Sequence, residues 1–109
     1  MRRQCAKCPW RKDVDPRDIP NGYSRHKHAA LADTIADPGR FTAGPLRVMA
    51  CHESAVGAER PCVGWLHNQL VDGNNIALRL AAHRDPSLAD IELVGPQHAR
   101  FEDTLPRTA

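Results

Sequence analysis

Two cysteines three residues apart, Cys5 and Cys8, and two more far downstream, Cys51 and Cys62, constrain this chain more than any hydrophobic pattern in it. Between the members of a C-x-x-C step the backbone curls tightly. Both sulfurs can then face one ion at the ~2.3 Å of a zinc–sulfur bond without strain elsewhere. The other half of a tetrahedral shell must come from mid-chain, so residues 51 and 62 have to fold back onto the N-terminal turn. A staple of this kind suits the composition. Apolar residues make up 41% of the 109 and aromatics only 5%, while nine prolines and seven glycines imply much irregular backbone. The start, Met-Arg-Arg-Gln-Cys, has no apolar stretch behind its charges, and no window nears the ~18 apolar residues of a membrane span. The chain therefore reads as cytoplasmic, without a membrane partner, in a compartment where thiols stay reduced and metal ligation is favoured over disulfides.

The expected architecture is a small metal-stapled α+β domain over residues 1–94, mostly helical, with a short β-ribbon and an irregular N-terminal arm. Residues 95–109 form an extended tail in this reading. Pro9, Pro16, Pro20 and the Asn21-Gly22 step interrupt the arm. Ser24 is placed to cap a helix running to about Ala36, before the Pro38-Gly39 stop. The alternating run from Leu46 to Cys51 reads as a short strand that delivers Cys51, with its partner in the N-terminal arm. From Cys62 the apolar spacing turns helical (Val63, Trp65, Leu66, Leu70) up to Asp72-Gly73. A third helix starts at Asn74 or Asn75 and closes near Arg84, ahead of Asp85-Pro86. Residues 87–94 add one more turn or strand.

The donor set is Cys5, Cys8, Cys51 and Cys62. His52 follows Cys51 directly and is either an alternative ligand or a residue that supports the site from behind. Zn2+ is the expected metal. A proline straight after a ligating cysteine, as at Cys8-Pro9, is also familiar from iron–sulfur proteins, so a [4Fe-4S] or [2Fe-2S] cluster and redox-active thiols are the alternatives. Trp10 and Trp65 each follow a cysteine within three residues and are placed to pack around the sulfurs and shield them from water. Gly64, a poor helix former between Cys62 and Trp65, points to another segment packed close against that helix. A second feature is basic. Arg2, Arg3, Lys7, Arg11 and Lys12 hold the first twelve residues without an acid, and Arg25 and Lys27 form a second group, so both are candidate nucleic-acid contacts, although Asp13, Asp15 and Asp18 follow at once and a solvated surface is the simpler reading of them.

The pieces Cys5-Ala6-Lys7-Cys8-Pro9-Trp10-Arg11, Ala50-Cys51-His52 and Cys62-Val63-Gly64-Trp65, in that order, resemble an uncharacterised family of small proteins found in actinobacteria and their phages, domain of unknown function 6283. The resemblance covers roughly residues 4–84, and all four cysteines match it. It implies a metal-binding cysteine set and no known activity. No nucleophile–base–orienter set, open metal position or phosphate-binding glycine motif is legible in the chain, so an enzyme is not expected. The expected role is an interaction or regulatory module for nucleic acid or a host protein.

Overall fold

The computed structural model describes residues 2–18, 23–35, 48–51, 59–71, 73 and 75–106. Over these residues the chain is an α+β fold of three short α-helices and a two-stranded sheet, joined by 3₁₀ turns. The arm opens as strand β1 (Arg2–Arg3), then turns through the first cysteine pair and a 3₁₀ turn at Pro16–Asp18. Helix α1 (Arg25–Ala30) begins where the Ser24 hydroxyl accepts from the Lys27 N–H, the predicted cap. It does not continue as an α-helix. It tightens into a 3₁₀ turn at Leu31–Thr34 and is extended at Ile35; Ala36 lies outside the described residues. Thr34 Oγ1 donates back to Leu31 O at 2.7 Å, and Trp65 Nε1 donates to Thr34 O at 3.0 Å, so side chains satisfy carbonyls that another helical turn would have used.

The run expected as a strand over 46–51 is not one among its described residues. Residues 46 and 47 lie outside them, and Ala50 makes only an isolated antiparallel bridge with Pro61. The Cys51 N–H donates to Arg60 O at 2.6 Å and the Cys62 N–H to Met49 O at 2.8 Å. These two bonds flank the Ala50–Pro61 pair, and on the far side Val63 already opens a helix, so the pairing goes no further in that direction. Nor does the N-terminal arm pair with this segment among the described residues. Its partner is strand β2 (Ile91–Glu92), parallel to β1 with Arg2 beside Ile91 and Arg3 beside Glu92.

Helix α2 (Val63–Val71) follows Cys62 directly, and the Gly73 N–H closes it by donating to Asn68 O. Helix α3 (Ile76–Arg84) starts behind Asn75, whose side chain accepts from the Leu78 N–H at 3.0 Å, and ends ahead of Asp85-Pro86 as the sequence predicts. Asp85 then caps a 3₁₀ turn at Pro86–Ala89 by accepting from the N–H and hydroxyl of Ser87.

The tail expected over 95–109 is a correction: its described part, 95–106, is packed. Backbone N–H groups of the arm and of this segment answer each other, Lys12 donating to Pro96 O and His98 to Trp10 O at 2.7 Å. Asn68 Nδ2 of α2 donates to Ala99 O. Phe101 and Thr104, on a 3₁₀ turn at Phe101–Thr104, are buried. One aromatic ring with somewhere apolar to go outweighs the loop-like composition around it. The core gathers on α2, where Trp65 and Leu66 meet Trp10, Met49, Leu78, Phe101, Cys8 and Cys62. Gly64 makes the closest of these approaches possible, because a Cβ there would lie 2.5 Å from Trp10 Cβ. The close neighbour expected from the sequence is thus the tryptophan of the cysteine knuckle. No described helix is long and apolar enough to cross a membrane.

Candidate metal centre

Local backbone geometry positions each sulfur. The Cys8 N–H donates to Cys5 O and the Arg11 N–H to Cys8 O, two consecutive turns that put both thiols of the C-x-x-C step on one side. Arg11 locks this knuckle. Its guanidinium grips both carboxylate oxygens of Asp13, at 2.9 and 2.7 Å, and donates from Nη1 to Ala6 O in the middle of the step. That bidentate pair raises the guanidinium and holds the Asp13 carboxyl below its usual range. On the other side, the hydrogen bonds flanking the Ala50–Pro61 bridge draw Cys51 and Cys62 together although ten residues separate them in sequence.

Two of the four thiols are in direct contact, and the other two act on them. Cys8 Sγ lies 3.7 Å from Cys62 Sγ. Cys5 is in hydrogen-bond contact with both Cys51 and Cys8, and Cys62 feels the charge of Cys51 as well as that of Cys8. None is in a disulfide. Four sulfurs at ~2.3 Å around one ion sit about 3.8 Å apart along each tetrahedral edge, so the Cys8–Cys62 separation equals one such edge. As placed, no group of three or more His, Cys, Asp or Glu among the described residues is arranged to hold a metal ion. The remaining edges would have to draw in around an ion.

Electrostatics orders the cluster. The Cys8 thiol is pushed down to about 3, chiefly because Cys5 and then Cys62 direct S–H groups at it, with the Trp10 N–H and the Gln4 side chain adding donors against the opposing effect of burial. Cys5 is raised by the hydrogen bonds it shares with Cys51 and Cys8. Cys62 is raised by its bond to Cys8 and by burial, although the Trp65 N–H partly stabilises its sulfur. One thiolate is therefore favoured and its neighbours stay protonated, because further negative charge in a buried pocket is repelled. A dication reverses that order, since it lets all four ionise together. On donor chemistry the residues fit a thiolate-bound metal.

The cluster is asymmetric. Cys8 and Cys62 are buried in the hydrophobic core between Trp10 and Trp65, themselves buried, whereas Cys5 and Cys51 are half-exposed. His52 lies outside the described residues. Of the basic candidates, Arg2 and Arg3 line a cleft on the half-exposed side of the cluster. Arg11 is engaged within its own chain, with its side chain only 14% exposed. Lys7 is exposed on the knuckle turn, Lys12 lines a separate pocket beside Glu102 and Asp103, and Arg25 and Lys27 are exposed on α1.

Two contributors carry no signal in the sequence. Gln4 is buried and forms a head-to-head amide pair with Gln97, each side chain donating to the other at 2.7 Å, while its Oε1 also accepts from the Val94 N–H. Arg60 joins the cleft because the pairing of Cys51 with the segment before Cys62 places it there. A lone glutamine and a lone arginine acquire these places only through contacts distant in the chain.

The model of the Family of unknown function (DUF6283) matches residues 1–103 of the chain. No curated protein and no solved structure matches it.

Proposed function

The chain belongs to the Family of unknown function (DUF6283), and from that premise we propose that it is a small non-enzymatic binding module pinned by one structural zinc ion held through Cys5, Cys8, Cys51 and Cys62. The observation that carries this reading is the 3.7 Å approach of Cys8 Sγ to Cys62 Sγ from positions 54 apart in number, with Cys5 and Cys51 acting on that pair. Four thiolates fill a tetrahedral shell and leave no open position for substrate, so the metal serves the fold. Trp10 and Trp65 keep water from the inner sulfurs, and the backbone N–H groups of Trp10 and Trp65 hold charge on Cys8 and Cys62. What such a module offers a partner, nucleic acid or protein, is its basic surface.

Elemental analysis of protein purified without chelator tests the reading. One zinc per chain is expected in the wild type. Cys8→Ser is expected to lose the metal together with cooperative unfolding, since structural zinc contributes ~10–16 kcal/mol in finger peptides. A Cys8→Ser protein that keeps both metal and melting temperature would remove Cys8 from the site.

An iron–sulfur cluster, or a thiol pair that changes redox state, is the second reading. It draws on the all-sulfur donor set and on Pro9 directly after Cys8. Protein prepared without oxygen would then be brown, with a broad visible absorption band and iron in place of zinc.

A further inference from the structure

Arg2, Arg3 and Arg60 line one cleft of about 440 Å³, within the ~300–1,000 Å³ range of small-ligand sites. Among the described residues its lining holds three arginines and no carboxylate; Gln4, Cys5 and Cys51 are among the other residues that face it. Arg2 makes one long contact, Nε to Ser87 O at 3.4 Å, and lends charge to Asp85. Arg3 and Arg60 are exposed, and no ion pair engages either among the described residues. The register of the sheet sets Arg3 beside Glu92, yet Glu92 is not part of the cleft. Three like charges in one concavity repel one another and concentrate positive potential there. A tetrathiolate zinc core carries a formal charge of about −2, which three arginines exceed by about one.

We propose that this cleft binds clustered phosphate oxygens, either the backbone phosphates of a single-stranded nucleic acid or the phosphates of a free polyphosphorylated molecule. Guanidinium groups suit this ligand because each presents a planar fork of donors that pairs two phosphate oxygens at once. The cleft also joins ligand binding to the fold. Arg60 and Cys51 are tied by a backbone hydrogen bond, and Arg2 and Arg3 precede Cys5 by three and two residues, so what organises the sulfurs organises the arginines. The proposal rests on the binding-module reading above and identifies its ligand chemistry.

The test titrates purified, metal-assayed protein with inorganic tripolyphosphate by calorimetry and with a fluorescein-labelled thymidine oligonucleotide by anisotropy at several salt concentrations. The variants are Arg3→Gln, Arg60→Gln and, as a control of equal charge loss elsewhere, Arg84→Gln, exposed in the last turn of α3. Wild-type protein is expected to bind, each cleft variant to weaken binding about tenfold and to flatten the log–log salt slope by about one, and Arg84→Gln to change little. Oligonucleotide binding tighter than tripolyphosphate binding assigns the cleft to a nucleic-acid backbone; the reverse assigns it to a free phosphorylated molecule. If neither probe binds metal-replete protein, or if Arg84→Gln weakens binding as much as Arg60→Gln, the proposal is overturned. Loss of metal from Arg3→Gln or Arg60→Gln in parallel with affinity also overturns it, because the arginines would then serve the core's own charge. Wild-type protein that carries no metal yet binds through Arg3 and Arg60 defeats the zinc reading and leaves the cleft standing.

Discussion

Replacing Gly64 by alanine adds one methyl group directly against the Trp10 side chain. That carbon would stand 2.5 Å from Trp10 Cβ, 2.8 Å from Cγ and 2.9 Å from Cδ1, whereas carbon atoms pack at ~3.5–4.0 Å. Roughly an ångström of separation must be found, and Trp10 is poorly placed to supply it. Its ring is buried with its centroid 6.2 Å from that of Phe101, its carbonyl accepts from the His98 N–H, and its own N–H points at the Cys8 sulfur. Overpacking of this kind costs about 1–3 kcal/mol, and the better helix propensity of alanine returns up to ~1 kcal/mol. The net expectation is a loss of about 1–2 kcal/mol and a fall in Tm of roughly 5–15 °C for a domain of this size. Differential scanning calorimetry with zinc analysis of the same samples measures it. The contact is isolated by repeating the substitution in a Trp10→Gly background, which removes the Cβ, Cγ and Cδ1 that the new methyl group would meet, and there Gly64→Ala should be neutral or stabilising by up to ~1 kcal/mol. An unchanged or raised Tm in the wild-type background, or equal losses in both backgrounds, would refute the reasoning.

Two further outcomes follow from buried polar groups. Gln4→Ala strips partners from Gln97 and from the Val94 N–H and removes a donor to Cys8; a loss of ~1–3 kcal/mol in urea denaturation, with faster metal release to a chelator, is expected. His28 is buried, held between the Tyr23 hydroxyl at 2.6 Å and Thr104 Oγ1 at 3.1 Å, and its value is lowered from 6.5 to about 4 by burial and then by Arg25. The unfolded chain takes up the proton first, so this contribution to stability is fully present above about pH 6.5 and is lost as the pH falls toward about 4, by at most ~3 kcal/mol. Urea midpoints across that range should fall in the wild type and fall less in His28→Gln, and equal slopes would rule the histidine out.

The helix boundaries written in short-range chemistry were legible in the sequence. Ser24, Asn75 and the Asp85-Pro86 step act on the few residues beside them, and each does in the structure what its chemistry predicts. The parallel pairing of Arg2–Arg3 with Ile91–Glu92 was not legible, because two residues carry no periodicity and the partner lies some ninety positions away. Leu46 to Cys51 has an alternating pattern, but a pattern describes one edge only, and the segment opposite Ala50 turns into a helix at Val63. Residues 95–106 have the composition of a tail and are retained by Phe101, Thr104 and the exchange of backbone hydrogen bonds with the arm. In the candidate site, the cysteine spacing led to the expectation of sulfurs brought together, and the structure sets Cys8 Sγ 3.7 Å from Cys62 Sγ. Gln4, Arg60 and the inward grip of Arg11 depend on which distant segments meet, and nothing local encodes that.

The hydrogen bonds that tie residues 2–4 and 10–12 to residues 90–98 carry a kinetic consequence. Contacts between such remote stretches form late, because the long intervening loop must be closed before they return any free energy. The first cysteine turn is made before residues 90–98, which clamp it, and until they arrive nothing from that stretch shields its thiols from oxidants.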